Sequence, residues 1–301
     1  MTKASAWLNA FRLRTLPLAL SSILMGSMLA AYYYAFQIKV LIGAAITTLF
    51  LQILSNLAND YGDTVNGADH SGRQGPQRMV QSGAISPREM RMAIIVFALL
   101  SLVSGLFLIY TAFQNAVSIH GLLFFALGIG AIAAAMKYTM GKNPYGYKGM
   151  GDVFVLLFFG IIGVGGSFYL HTGWVSWITL LPALAVGMLS AGVLNLNNMR
   201  DINSDREAGK VTLVVRHGMT WAKGYQYILV AGAILFLLFF VCISGCEIGH
   251  LLFVGTLPFF IRHLVVVSKA TKADDFDPEL KKLALSTLLL VILFGCGLLF
   301  F

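Results

Sequence analysis

The sequence predicts an all-α polytopic membrane protein with nine transmembrane helices. Of its 301 residues, 58% are hydrophobic and only 11% are charged, and the mean hydropathy is +0.80. A soluble chain of this length exposes many more Lys, Glu and Asp side chains. Apolar runs close to the roughly 20 residues that a membrane-spanning helix needs recur along the whole chain. These runs are too long for the strands of a membrane β-barrel, which alternate over about 10 residues.

Each apolar run is interpreted as one span of a single integral-membrane domain that covers residues 1–301. The first run lacks a small-residue cleavage site, so we expect it to be a span and not a signal peptide. The gaps after spans 2 and 6 are long, and loops of such length are usually functional or disordered. The predicted spans cover residues 16–35, 39–59, 92–110, 116–136, 153–170, 174–195, 224–243, 248–268 and 283–301.

Basic residues are distributed unevenly between the two sides of the predicted bundle. Twenty of the 21 Lys and Arg residues lie before span 1 or around the gaps after spans 2, 4, 6 and 8, and only Lys39 lies elsewhere. The positive-inside rule then predicts a cytoplasmic N-terminus and an outer C-terminus. Because twelve of the thirteen acidic residues lie on the same side, the net charge of +8 indicates topology and not nucleic-acid binding.

Two polar clusters lie where spans 2 and 6 end. Within each cluster, one amide and two carboxylates share a helical face, at i, i+4 and i+7 in the first and at i, i+4 and i+8 in the second. Like charges on one helical face at a membrane boundary are destabilising unless something offsets them. The clusters are Asn56, Asn59, Asp60 and Asp63, and Asn197, Asn198, Asp201 and Asp205.

A divalent cation would offset the charge of these carboxylates. Carboxylate and amide oxygens suit Mg²⁺, which usually binds one or two carboxylates together with waters and substrate phosphates. Two such clusters facing each other would therefore hold Mg²⁺ ions that bridge a diphosphate. Nearby basic residues would contact the remaining phosphate oxygens, and the candidates are Arg12, Arg78, Lys137, Arg200, Lys210 and Arg216.

An allylic diphosphate with an isoprenoid tail fits this combination of residues. Its tail would lie between apolar spans, and its head would bind Mg²⁺ and Arg or Lys at the membrane surface. Mg²⁺ would withdraw charge from the leaving diphosphate and help the carbon–oxygen bond to ionise. Apolar and aromatic walls would keep water from the allylic cation until an electron-rich acceptor attacks it.

The two clusters resemble the motifs of the UbiA superfamily of intramembrane aromatic prenyltransferases, whose members have two Asp-rich motifs on nine helices. The string NDYGD at 59–63 matches the first motif, and DINSD at 201–205 matches the second. The first departs from the wider family pattern NDxxDxxxD, because its last Asp would fall at Gly67 and Asp69 comes two residues later.

Within the superfamily, the chain is most similar to the 1,4-dihydroxy-2-naphthoate polyprenyltransferases. This resemblance implies transfer of a polyprenyl group from polyprenyl diphosphate to 1,4-dihydroxy-2-naphthoate. CO₂ and diphosphate would leave, and demethylmenaquinone would form. The segments that show the resemblance are RLRTLPLAL at 12–20, LQILSNLANDYGD at 51–63, GPQRMVQSG at 75–83, KYTMGKNPYGYKGMGD at 137–152 and LNLNNMRDINSDREAGKVTLVVRHG at 194–218.

The resemblance also implies a nine-helix bundle in the bacterial inner membrane, with a central cavity that is capped on the cytoplasmic side by loops 2–3 and 6–7. Asp152 is a candidate for handling the aromatic acceptor, and a helix cap at the start of span 5 is an equal alternative for it. Tyr138 is implied at the pocket, and Asn59, Asn198 and Arg12 at the substrate. Mg²⁺ ligation is implied for Asp60, Asp63, Asp201 and Asp205, with Asn56 and Asn197 in support. Diphosphate contacts are implied for Arg78, Lys137, Arg200 and Lys210.

Three other functions fit parts of this pattern. A transporter also needs charge in the membrane, but its site usually lies near the midplane on broken helices, whereas these acids lie at span ends. A CDP-alcohol phosphotransferase would need a DGxxAR-type motif, which the sequence lacks. A UbiA-type enzyme for another aromatic acceptor, such as 4-hydroxybenzoate, is the third, and the segments GPQRMVQSG and NNMRDINSD argue against it.

Overall fold

A computed structural model describes residues 2–68, 75–114, 117–245 and 247–300, and every regular element within these ranges is helical. Nine helices among them are long and apolar enough to cross a membrane. The predicted fold class and number of spans are therefore confirmed. The spans, numbered in chain order, are Lys3–Tyr32, Ile38–Val65, Pro87–Phe113, Ile119–Lys137, Gly151–Thr172, Trp177–Arg200, Met219–Ile243, Ile248–Lys269 and Ala273–Phe300.

Spans 1 and 9 begin ten or more residues earlier than the sequence predicted. Span 1 starts with a short helix, Lys3–Phe11, which is separated from the apolar helix Leu16–Tyr32 by Arg12 in a left-handed conformation. The short helix buries Ala6 and Ala10 beside span 2. It also contains polar residues, and for that reason a search for long apolar runs does not detect it. Span 9 starts at Ala273 because a helix N-terminus stabilises acidic side chains in its first turn.

Span 6 lies at the centre of the bundle, where it packs against spans 5, 7 and 9. Gly160 of span 5 lies so close to it that a Cβ there would come within 2.6 Å of the carbonyl oxygen of Ala183. Glycine at this position thus permits close packing of spans 5 and 6. Around it, Leu156–Gly166 is wound as a π-helix. Spans 3 and 4 are mostly exposed and offer apolar surface to lipid.

A buried polar chain connects spans 6 to 9. Asn195 donates to the Oε1 atom of Gln226 at 2.9 Å, and the Gln226 amide lies 3.1 Å from the Nε2 atom of His263. The Nδ1 atom of His263 is 2.7 Å from Glu279, whose other oxygen accepts from Lys282 at 2.6 Å. Since the Gln226 amide nitrogen can only donate, His263 accepts at Nε2 and donates from Nδ1 to Glu279. The four helices are thereby held in one register.

We expect Glu279→Ala to lower the free energy of unfolding by about 1–3 kcal/mol, because it leaves the buried His263 donor without its acceptor. The matched control is Lys282→Ala. The Lys282 side chain is 51% exposed, so its loss should cost less than about 1 kcal/mol. Chemical unfolding in lipid-detergent micelles measures both changes, and equal stabilities for the two variants would contradict a structural role for the chain.

Candidate active site

A cavity of about 390 Å³ lies among spans 1 to 6, with span 9 closing part of its wall. Its lining extends along span 2 from Ala44 to Asn59, a distance of about 22 Å at 1.5 Å per helical residue. Most of the wall is apolar, and Phe124 and Phe158 are among the aromatic residues in it. Polar residues gather at the end where spans 2 and 6 finish, which we call the motif end. The cavity thus combines an oily interior with a polar mouth.

Asp60 holds loop 2–3 over the motif end. Its two carboxylate oxygens accept hydrogen bonds from the backbone nitrogens of Met79 and Val80, each at 3.0 Å. All three residues are buried. Backbone N–H groups bind a carboxylate strongly in such surroundings, so the first acidic motif and the following loop form one unit.

Asp63 lies one turn further along and faces three donors. The Tyr147 hydroxyl donates to its Oδ1 atom at 3.0 Å, while Arg78 and Lys210 each lie 3.8 Å from its Oδ2 atom. Burial and the charge of Asp63 raise the pKa of Tyr147 well above its usual value. Tyr147 therefore stays protonated, and its hydroxyl donates a hydrogen bond to the Asp63 carboxylate.

Lys210 lies between the two acidic motifs. Its ammonium group is 3.4 Å from Asp205 and 3.8 Å from Asp63, and 5.5 Å from the centre of the Tyr147 ring. Burial disfavours the ammonium, but Asp63 and Asp205 outweigh it and raise the pKa of Lys210 well above the usual value. Burial raises the pKa of Asp205 to about 6, and the charges of Asp201 and Asp63 add to this although Lys210 opposes it. One cation thus links carboxylates from both motifs.

Asp201 is held by its neighbour Arg200. The guanidinium donates from Nε and Nη2 to the two oxygens of Asp201 at 2.8 and 2.7 Å, and from Nη2 to the Oδ1 atom of Asn197 at 2.8 Å. Its remaining nitrogen, Nη1, donates to Asp277 of span 9 at 2.6 Å. Two-pronged pairing of this kind fixes direction as well as distance. The orientation of the second motif is therefore set by Arg200.

Most of the residues predicted from the sequence meet at the motif end. Asn56 donates to the Phe11 carbonyl at 2.9 Å and to Thr15 at 3.0 Å, which ties span 2 to span 1. The buried Asn198 lies beside Asn197 on span 6. Those that line the cavity are Arg12, Asn56, Asn59, Tyr138, Asn197 and Lys210.

Three predicted residues lie elsewhere. Lys137 is exposed at the end of span 4, Arg216 is exposed in loop 6–7, and neither lines the cavity. Asp152 is buried outside the cavity wall, where it accepts a hydrogen bond from Tyr225 of span 7. Asp69 lies outside the described residues.

Two contributors to the site were missed by the sequence interpretation. Tyr147 looks like an ordinary loop residue, and only the fold brings it to Asp63. Gly62 stands between the two aspartates of the first motif, and a Cβ there would lie 2.7 Å from the backbone of Thr139. Thr139 in turn donates to the carbonyl of Ala58 at 3.0 Å. The glycine of NDYGD was the one available signal, since it lets loop 4–5 approach span 2 closely.

The donor set at the motif end fits a divalent cation. Within the described ranges, no three His, Cys, Asp or Glu side chains are already grouped as a metal site, and Lys210 lies between Asp63 and Asp205. Among the buried side-chain oxygens without a hydrogen-bond partner in the described part of the chain, three belong to the two polar clusters, namely those of Asn59 (Oδ1), Asn198 (Oδ1) and Asp205 (Oδ2). Leaving such acceptors unpaired costs free energy, and amide and carboxylate oxygens are ligands that Mg²⁺ prefers.

Nine spans, an apolar cavity and paired acidic motifs at its mouth are the features of an intramembrane prenyltransferase. The model of the UbiA prenyltransferase family matches residues 19–289. The chain belongs to this family, and the resemblance inferred from the two motifs is confirmed.

Curated relatives match nearly the whole chain. The 1,4-dihydroxy-2-naphthoate octaprenyltransferase of Haemophilus influenzae is 42% identical over 99% of this chain and 96% of the relative. The protein of the same name from Escherichia coli is 41% identical with the same coverage. The one from Mycobacterium leprae is 34% identical over 95% of this chain and 93% of its own length.

Solved structures share the fold. A UbiA homolog from Aeropyrum pernix superposes with a TM-score of 0.68 at 17% identity, covering 95% of this chain and 97% of that one. A UbiA homolog from Archaeoglobus fulgidus, bound to DMAPP and Mg²⁺, superposes with a TM-score of 0.62 at 18% identity, covering 95% and 98%. At such identities the likeness concerns the helical architecture.

We expect Gly62→Ala to lower the free energy of unfolding by about 1–3 kcal/mol, because the new methyl group would press on the Thr139 backbone. Gly130→Ala is the control. Gly130 lies in span 4, and a methyl group added there would meet nothing within 4 Å, so its change should be neutral or stabilising by up to about 1 kcal/mol. Equal unfolding midpoints for the two variants in detergent would show that the close approach does not matter.

Proposed function

We propose that this chain transfers a polyprenyl group from polyprenyl diphosphate to 1,4-dihydroxy-2-naphthoate, with loss of CO₂ and diphosphate, giving demethylmenaquinone for menaquinone biosynthesis. The whole chain would act as one membrane domain. The observation that supports this most directly is 41–42% identity over 99% of the chain to two 1,4-dihydroxy-2-naphthoate octaprenyltransferases. The cavity agrees with it, because an oily tunnel with a polar mouth suits a prenyl tail and a diphosphate head.

The two acidic motifs are proposed to hold Mg²⁺. When bound, the metal supplies positive charge that stabilises the departing diphosphate. The unpaired oxygens of Asn59, Asn198 and Asp205 support a cation at this end of the cavity. The proposed ligands are Asp60, Asp63, Asp201 and Asp205, with Asn56 and Asn197 beside them.

Lys210, Arg78 and Arg200 are proposed to bind the diphosphate. Lys210 supports this role best, because it lines the cavity and lies between carboxylates of both motifs. Phosphate oxygens can replace the carboxylates as its partners once the substrate is bound. Tyr138 lines the same end of the cavity, and burial raises the pKa of its hydroxyl to about 12, so it stays neutral beside the substrate.

The apolar wall is proposed to protect the allylic cation from water. Phe124 and Phe158 offer aromatic faces to the cavity, and such faces attract cations. Asp152 stays a predicted partner of the acceptor. Its hydrogen bond to Tyr225 supports the alternative, a role in joining spans 5 and 7.

The motif end is proposed to face the cytoplasm, with loops 2–3 and 6–7 as its cap. Charge asymmetry between the two sides of the bundle supports this orientation. The hydrogen bonds from Met79 and Val80 to Asp60 support the cap, because they join loop 2–3 to the first motif. In loop 6–7, the Val211 nitrogen donates to the Tyr147 carbonyl at 3.0 Å, which joins it to loop 4–5.

Purified protein in lipid should convert labelled polyprenyl diphosphate and 1,4-dihydroxy-2-naphthoate to a lipid quinone with Mg²⁺ and not with EDTA. Product with 4-hydroxybenzoate alone would keep the reaction and change the acceptor. No product with any aromatic acceptor, from folded protein, would favour a transporter. In inside-out membrane vesicles, external EDTA should stop turnover, whereas sealed right-side-out vesicles loaded with Mg²⁺ should resist it if the site faces the cytoplasm.

Asp60→Ala and Asp201→Ala should each lower turnover by about 100-fold or more, because each removes a proposed metal ligand. Asp274→Ala is the control, since this exposed acid of span 9 has no ion pair among the described residues. Turnover is measured with the same labelled substrate after membrane insertion has been verified for every variant. Normal turnover in both motif variants would rule out the metal assignment.

A further inference from the structure

Every nitrogen of the Arg200 guanidinium already has a hydrogen-bond partner, so its orientation is fixed before any diphosphate binds. Nε and Nη2 face Asp201, Nη2 also reaches Asn197, and Nη1 is 2.6 Å from Asp277. The Arg200 side chain is only 2% exposed. A buried guanidinium with four acceptors has little freedom to turn, so its partners decide which way it presents its nitrogens.

Among the partners of Arg200 in the described ranges, Asp277 alone lies outside the polar cluster at the end of span 6. It lies in the second turn of span 9, and its side chain is 29% exposed at the motif end. Its Oδ1 atom accepts from Arg200, and its Oδ2 atom accepts from Nη1 of Arg14 at 3.0 Å. One carboxylate thus joins the end of span 6 to the entry into the apolar helix of span 1.

The two carboxylates around Arg200 bind different parts of its guanidinium group. Asp201 takes the fork formed by Nε and Nη2, and Asp277 takes Nη1 on the other side. Without Asp277, Nη1 would turn toward another acceptor, such as Asp201 itself or a diphosphate bound in the cavity. Either choice would rotate the guanidinium and pull Asp201 and Asn197 out of their present directions.

Loop 2–3 adds a second constraint on the same group. A Cβ at Gly75 would lie 3.1 Å from Nε of Arg200 and 3.4 Å from Oδ1 of Asp201. The loop backbone therefore lies directly against the Arg200–Asp201 pair. A guanidinium rotated by the loss of Asp277 would press on this backbone, so the disturbance would reach loop 2–3 as well as Asp201.

We propose that Asp277 is a positioning residue that acts through Arg200 to orient Asp201 and Asn197 for binding of a metal–diphosphate. This inference rests on the proposed function. It also gives Arg14 a role in holding Asp277, which the spacing of RLRTLP does not reveal.

The test measures binding as well as turnover. Isothermal titration of the protein in nanodiscs with a short prenyl diphosphate, at several Mg²⁺ concentrations, gives the affinity without any acceptor. We expect Asp277→Ala to weaken Mg²⁺-dependent binding by about tenfold or more, because it removes the charge-assisted hydrogen bond that holds Nη1 of the buried Arg200 guanidinium. The matched control, Asp274→Ala on the same helix, should bind within twofold of the parent.

A double variant distinguishes positioning from general stabilisation. If Asp277 acts through Arg200, then Asp277→Ala should add little to the loss caused by Arg200→Ala. Independent effects that multiply would overturn the proposal, as would parental affinity in Asp277→Ala. If Asp277→Ala does not fold, the near-isosteric Asp277→Asn takes its place, and it should weaken binding by at least threefold while Asp277→Glu recovers part of the affinity.

These outcomes are separate from those of the proposed function. Failure of the parent protein to prenylate any aromatic acceptor would remove the proposed function, yet the binding titration would still decide the role of Asp277. Normal prenylation by the parent with unchanged binding in Asp277→Ala and Asp277→Asn would leave the function standing and remove the inference.

Discussion

The constraint on which the rest of the structure depends is the burial of four carboxylates at one end of a membrane bundle. Asp60, Asp63, Asp201 and Asp205 are each at most 4% exposed. Unpaired charges in such a place would cost several kcal/mol each. The chain meets this cost with backbone N–H groups for Asp60, a tyrosine and two cations for Asp63, and Arg200 and Lys210 for the second motif. Loops 2–3, 4–5 and 6–7 are held in place because they supply those partners.

The same constraint explains how the bundle is divided. Spans 7, 8 and 9 pack with span 6 into a solid core with aromatic residues such as Phe240, Phe253 and Phe294. Spans 1 to 5 surround the cavity. Span 6 belongs to both parts, so the second motif at its end is anchored in the solid core while it faces the cavity. A site that must hold charged side chains at fixed relative positions benefits from attachment to a well-packed helix.

Local patterns in the sequence predicted much of this arrangement. The nine spans followed from apolar runs, and the two polar clusters followed from residues that share a helical face. Contacts between distant segments could not be predicted in this way. Nothing near Asp277 distinguishes it from an acid at a helix start, and it meets Arg200 only because spans 6 and 9 are adjacent. Lys137 is the opposite case. The sequence motif around Lys137 predicted a contact with the diphosphate, but at the end of span 4 its side chain is exposed.

The contact among Arg14, Arg200 and Asp277 also has a consequence for how the protein is made. Chains emerge from the ribosome with the N-terminus first, so Arg14 and Arg200 are synthesised before Asp277. Arg200 can pair with Asp201 and Asn197 as soon as span 6 and its motif are in place, whereas its contact with Arg14 through Asp277 needs span 9. The link between spans 1, 6 and 9 therefore forms only after span 9 has entered the bilayer. A chain that stops before span 9 would leave this side of the cavity mouth unlinked.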